Sequence, residues 1–154
     1  MKEIIVYSDG SCHTQLLTGA WAAILLVSGR KFVISGTAQA TTHNRMELMA
    51  VIEAIKWILT EYPDAAVRVY SDSQYVVGLE GRKIKIRLAN YQTKAGNNIQ
   101  NVDLVRELWQ LQERIKVDFV KVEAHLKKTE TINYNIEVDT IVRALLRSAV
   151  SAMA

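Results

Sequence analysis

Several things are scarce in this chain. Among its 154 residues there is one cysteine, Cys12, and one proline, Pro63. A lone cysteine excludes an internal disulfide and is compatible with a reducing compartment. No apolar run approaches the roughly 18–20 residues that a membrane span needs. The N-terminus runs straight into a strand-like segment and has no signal-peptide pattern. A cytoplasmic protein with no membrane partner is therefore expected. Low-complexity tracts and linkers are missing too, so a single domain over residues 1–154 is expected, long enough for a real core. What is present is ordinary for a soluble globular chain: 49% apolar and 23% charged residues. The net charge of +3 permits a polyanionic partner without demanding one.

Two short β-rich runs end on an acid. Ile4, Ile5, Val6 and Tyr7 suit a strand buried on both faces, and Asp9 follows among small residues. Burying a charge costs several kcal/mol unless it is paired or binds a metal. The pattern returns at Val69-Tyr70-Ser71-Asp72-Ser73. If these strands are neighbours, their two aspartates meet, which is the outline of a cation site.

In chain order, residues 3–9 read as a strand and His13 to Thr18 as a loop. Trp21 to Val27 and Lys31 to Ala38 read as a hairpin turned at Ser28-Gly29-Arg30. Thr41 to Asn44 supply helix caps. A helix follows from about Arg45 to Glu61, with Pro63 marking its end. Val67 to Ser71 is a fourth strand, and Ser73 to Leu79 a short helix. Gly81 to Asn98 holds Arg82, Lys83, Lys85, Arg87 and Lys94 with no acid among them. Asn101-Val102-Asp103 reads as a cap before a helix running to about Arg114. Lys116 to Glu123 alternates as a fifth strand. Ala124 to Tyr134 reads as a polar loop, and Ile136 to Val150 as a last helix. The order predicts an α/β fold: a five-stranded mixed sheet, three antiparallel strands then two parallel, flanked by helices.

Two further acids stand beside apolar stripes. Ala50, Val51, Ala54, Ile55 and Ile58 lie on the helix face of Glu47, which sits in the first turn. Asp139 borders Ile136, Val142 and Leu146 in the same way. Singly, such acids only complement the helix macrodipole, and strand-end acids only form turns. Together, in a fold that gathers them, four carboxylates can carry hard cations. Two such ions about 4 Å apart stabilise the attacking and leaving oxygens of a phosphoryl displacement. Without metal, converging acids repel one another and raise their own pKa values.

At Tyr7-Ser8-Asp9-Gly10-Ser11, Thr41-Thr42-His43-Asn44-Arg45-Met46-Glu47-Leu48-Met49-Ala50, Tyr70-Ser71-Asp72-Ser73-Gln74-Tyr75-Val76, Asn101-Val102-Asp103-Leu104 and a His125 loop leading to Asn135 and Asp139, the chain resembles type 1 ribonuclease H. The resemblance covers nearly the whole length. It implies the ribonuclease H-like fold and hydrolysis of the RNA strand of RNA–DNA hybrids, leaving 3′-hydroxyl and 5′-phosphate ends. It implies Asp9, Glu47, Asp72 and Asp139 as ligands of two Mg²⁺ ions, with Mn²⁺ as a substitute. His125 matches a loop histidine that assists proton movement or product release. Gly10, Ser11, Cys12, Glu47 and Gln74 are expected to face the RNA strand. Asn44 is expected in the minor groove, with Thr42 and Asn101 at a DNA-strand phosphate. Lys83, Lys85 and Arg87 fall where many members carry a basic substrate-binding protrusion, which implies salt-sensitive contacts. The expected oligomeric state is a monomer.

The chain departs from the family pattern in places. Gln15 stands where an asparagine is expected, and Leu16 and Leu17 replace flexible residues. His43 replaces a common asparagine, and Ala40 an arginine found in some members. The segment Leu126 to Asn133 lacks the usual glycines. None of these removes an expected metal ligand. The rival readings are a catalytically silent hybrid-binding module of the same fold, and a transposase, resolvase or exonuclease of the same broad fold.

Overall fold

The computed structural model describes residues 2–123 and 130–153. Among the described residues five strands and four helices follow in the order β1 (Glu3–Cys12), β2 (Gly19–Val27), β3 (Arg30–Ala38), α1 (His43–Glu61), β4 (Ala66–Ser71), α2 (Gln74–Leu88), α3 (Val102–Gln112), β5 (Val117–Lys121) and α4 (Glu130–Ser151). The strands form one sheet in the order β3-β2-β1-β4-β5. β1 pairs antiparallel with β2, and β2 with β3, while β4 runs parallel to both β1 and β5. This is the mixed sheet expected from the pattern.

Side chains alternate across a strand, so a strand buried on both faces feeds two cores. Ile4 and Val6 of β1 point into a cluster with Val51, Ile55 and Ile58 of α1 and Trp109 of α3. Tyr7 points the other way, into a smaller cluster with Ile24 of β2 and Val138 and Val142 of α4. Each fully buried aliphatic side chain contributes about 1.5–3 kcal/mol. The Tyr7 ring stacks on Tyr70 at 5.1 Å and on Tyr134 at 5.0 Å, which ties α4 to the centre of the sheet.

Four local differences from the sequence reading have physical causes. β1 continues past Asp9 to Cys12, because Gly10, Ser11 and Cys12 keep pairing with Trp21, Ala20 and Gly19. α2 does not stop near Gly81. Its two glycines cost about 1 kcal/mol each, and the packing of Val76, Leu79 and Ile86 on the main core offsets that. Asn101 stands at the N-cap of α3 in the left-handed region, φ 58°, and makes no side-chain cap bond. α4 begins at Glu130, inside the stretch expected to be a polar loop.

Candidate functional site: a carboxylate cleft at the strand ends

The register of the sheet sets the site. Tyr7 pairs with Tyr70 across the parallel β1–β4 ladder. Asp9 and Asp72 each lie two residues further on, so both emerge at the same end of neighbouring strands. α1 then brings Glu47 to them. Its N-cap is Thr42, whose Oγ1 accepts from Arg45 N at 3.2 Å. Because α1 starts at His43 rather than near Arg45, Glu47 falls just beyond the first turn in which it was expected, and the backbone at Met46 and Glu47 lies directly on β1 at Gly10. A Cβ there would fall on the Met46 carbonyl carbon and 2.5 Å from the Glu47 nitrogen. Only glycine allows this approach.

Asp9, Glu47 and Asp72 each offer a carboxylate oxygen, and these oxygens lie within 4.8 Å of one another. Asp9 is 6% exposed and Glu47 2%. Burial pushes the Asp9 carboxyl up to about 9, and the charges of Glu47 and Asp72 push the same way. Burial also raises Glu47, against an opposing hydrogen bond from His43. His43 Nε2 lies 3.4 Å from Glu47 Oε1, and this contact raises the imidazole in turn. Among the described residues no amide or hydroxyl donates to the buried Glu47 Oε2. A proton retained on Asp9 lies against Glu47 and lowers the charge of the pair. A divalent cation would do the same more completely. All donors are hard oxygens, so the cluster fits a divalent cation of the oxygen-seeking kind.

Asp139 reaches the same cleft from α4. The cleft has a volume of about 410 Å³, and Gly10, Ser11, Asn44, Gln74, Asp72 and Asp139 are among its lining residues. The Asp139 carboxylate is engaged by Arg143 at 2.5 Å and stands apart from the three-acid group. A second cavity of about 430 Å³ adjoins, lined by Thr42, His43, Asn44, Gln100 and Asn101. Asn101 Nδ2 donates to Tyr75 Oη at 3.0 Å, and its Oδ1 accepts from Arg45 Nη1 at 3.5 Å. Cys12 is half-buried, its thiol lies 3.4 Å from the Thr41 carbonyl, and it is not among the cleft-lining residues described. Lys83 and Arg87 lie over the Trp109 ring, at 5.8 and 5.6 Å. Lys85 lines a separate groove with Arg82 and Lys94. His125 lies outside the described residues.

Three cleft residues were not among the expected site residues: His43, Ser73 and Tyr75. The signal for His43 was its spacing, four residues before Glu47 and so on the same helix face. Ser73 follows an acid and caps α2, its Oγ accepting from Val76 N at 3.2 Å. Nothing local in the sequence marks Tyr75 as the partner of Asn101.

A mixed sheet in this order, with acids from β1, α1, the end of β4 and α4 turned into one cleft, is the ribonuclease H-like fold. The RNase H family model matches residues 1–147. The chain is 36% identical over 149 residues to the Ribonuclease H of Caldicellulosiruptor saccharolyticus, covering 96% of this chain and 98% of that one. It is 35% identical over 148 residues to that of Chlorobium luteolum, covering 95% and 97%. Among solved structures, LC9-RNase H1, described as a type 1 RNase H with the type 2 active-site motif, superposes with a TM-score of 0.81 at 22% identity, covering 96% of this chain and 74% of that one. LC11-RNase H1 in complex with an RNA/DNA hybrid superposes with a TM-score of 0.70 at 19% identity, covering 96% and 99%. The chain belongs to the RNase H family.

Proposed function

We propose that the protein is an endonuclease that hydrolyses the RNA strand of RNA–DNA hybrids and leaves 3′-hydroxyl and 5′-phosphate ends. The observation that carries this reading is the set of three carboxylates within 4.8 Å of one another, with Asp139 lining the same cleft. The hybrid bound by LC11-RNase H1, a protein of the same fold, supports the substrate class. Asp9, Glu47, Asp72 and Asp139 would hold two Mg²⁺ ions, or Mn²⁺ in their place. When bound, such ions supply Lewis acidity to the attacking water and to the departing 3′ oxygen.

The chain's own residues do the rest. His43 holds Glu47 Oε1, which fixes the carboxylate beside Asp9 and Asp72. Gly10, Ser11, Asn44 and Gln74 line the cleft; Gly10, Ser11 and Gln74 would meet the RNA strand and its 2′-hydroxyls, and Asn44 the minor groove between the strands. Thr42 and Asn101 share the adjoining cavity and are suited to a phosphate of the DNA strand. By family resemblance Cys12 contributes through its backbone, and His125 moves a proton or helps product leave. Lys83, Lys85 and Arg87 add electrostatic attraction along α2. The reading includes one domain over residues 1–154, acting as a monomer in the cytoplasm. The family match over 1–147 and the single Cys12 thiol support it. Among the described residues no helix is long and apolar enough to cross a membrane.

One gel tests the proposal. Labelled RNA–DNA hybrid, double-stranded RNA and double-stranded DNA are each incubated with Mg²⁺ or with chelator. Cleavage of the hybrid's RNA strand only, and only with Mg²⁺, is the expected result. Binding without cleavage would make the protein a silent hybrid-binding module, and cutting of DNA would place it with other nucleases of this fold.

A further inference from the structure

The four acids of the cleft do not keep the same company. Asp139 Oδ2 lies 2.5 Å from Arg143 Nη2, one helical turn further along α4. Among the described residues, no arginine or lysine makes an ion pair with Asp9, Glu47 or Asp72; only His43 reaches Glu47. The pair is also open to solvent, with the Asp139 side chain 35% exposed and that of Arg143 70%. Arg143 lines an apolar groove of about 400 Å³ with His13, Leu146 and Arg147. A guanidinium at contact distance neutralises a carboxylate and repels a second cation that approaches it. Because the pair is exposed, solvent competes with it and it yields readily.

We propose that Arg143 is a positioning residue that competes with a divalent cation for Asp139. The Asp139 end of the cleft is then the weaker of two cation positions, and the Asp9–Glu47–Asp72 end loads first. This rests on the cation reading of the cleft given above. At the buried end, Glu47 has an oxygen with no amide or hydroxyl donor among the described residues and gains from any ion. At the exposed end, an ion must first displace Arg143 from Asp139. Arg143 thereby sets the cation concentration at which the cleft fills, without touching substrate.

The test is Mn²⁺ binding to the full chain at low ionic strength and without nucleic acid, read from the electron paramagnetic resonance signal of free Mn²⁺. Arg143→Gln is expected to tighten the weaker class of site about three- to tenfold, by removing one competing charge at contact. If the wild type shows one class only, Arg143→Gln is expected to add a second. Arg143→Lys, which keeps the charge, should stay near the wild type. Arg147→Gln removes the same charge one turn further on and should leave the isotherm unchanged. A wild-type isotherm for Arg143→Gln would overturn the proposal and leave the cation site standing. Equal tightening by Arg147→Gln would overturn it as well, since net charge alone would then be the cause. Failure of every variant and the wild type to bind Mn²⁺ would overturn the cation reading and this proposal together.

Discussion

Glu47 lies one helical turn beyond His43, and its two carboxylate oxygens differ in company: Oε1 is 3.4 Å from His43 Nε2, and Oε2 is buried without an amide or hydroxyl donor among the described residues. The hydrogen bond from His43 lowers the proton affinity of Glu47, against the larger effect of burial. Side chains that orient a metal-binding carboxylate typically matter by 10–100-fold in metal affinity. His43→Ala is therefore expected to weaken Mg²⁺ or Mn²⁺ binding about tenfold. His43→Asn, which keeps a donor in place, should lose less. Calorimetric titration of the two variants checks both the loss and its order.

The cluster should also make stability depend on pH. In the folded chain burial, Glu47 and Asp72 raise the Asp9 carboxyl from 3.8 to about 9. Between those values the folded state binds more protons than the unfolded one, so stability falls as pH rises. The contribution is fully present below about pH 4 and is lost as pH climbs toward about 9. Asp9→Asn removes the titrating group. In chelator at pH 7 it is expected to raise Tm by about 3–6 °C, for roughly 1–2 kcal/mol. The same variant, like Asp72→Asn, should cut hybrid at least about 100-fold more slowly. Thermal melts from pH 4 to 9 with and without Mg²⁺, beside a cleavage assay, separate the two effects. A flat wild-type profile in chelator would remove the case for repulsion in the cleft.

How much of this was legible beforehand follows from what each kind of residue reports. Asp9 and Asp72 were visible because a charge at the end of an apolar strand breaks the pattern. Glu47 was visible because its helix neighbours at Ala50, Val51 and Ala54 are apolar, and all three are buried. The mixed sheet of three antiparallel and two parallel strands followed from hairpin turns and crossover rules, while its strand order is seen only in the fold. What the sequence hid were matters of contact between distant segments. The Arg143 guanidinium on Asp139 follows the one acid–base spacing of four residues along α4, but the spacing alone does not place that pair beside the other three acids. The bond from Asn101 to Tyr75 joins two helices 26 residues apart in the chain. The extent of α2 turned on packing of Ile86 against the core, which outweighs the glycines at 78 and 81.

Gly10 shows how closely the site depends on backbone packing. A methyl group there would collide with backbone atoms of Met46 and Glu47, which cannot rotate away as a side chain would. Gly10→Ala is expected to destabilise the fold by about 1–3 kcal/mol through overpacking. It should also part Glu47 from Asp9, because α1 must lift from β1 to make room. Chemical denaturation measures the first effect, and Mn²⁺ affinity of the folded variant the second. A variant as stable as the wild type would mean that α1 and β1 can separate at no cost.

Three of the four basic residues of α2, Lys83, Lys85 and Arg87, are expected to separate by role. Lys83 and Arg87 lie over the ring of Trp109, which is 1% exposed, and Arg87 also lies 3.7 Å from Glu113. Their stems and charges help to cover a buried aromatic, so removing either should cost about 0.5–1 kcal/mol of stability as well as charge. Lys85 instead lines the groove with Arg82 and Lys94. Lys85→Ala is expected to leave Tm unchanged and to weaken hybrid binding through charge alone. Each phosphate contact contributes about 0.9 to the slope of log K against log salt for a duplex, so Lys85→Ala should lower that slope by about 1. The triple alanine variant should lower it by about 2–3 and also lose Tm. Fluorescence anisotropy of a labelled hybrid across a salt series reads the slopes. If the triple variant keeps the wild-type slope, this face of α2 serves the fold and the solvent, and the nucleic acid is held elsewhere.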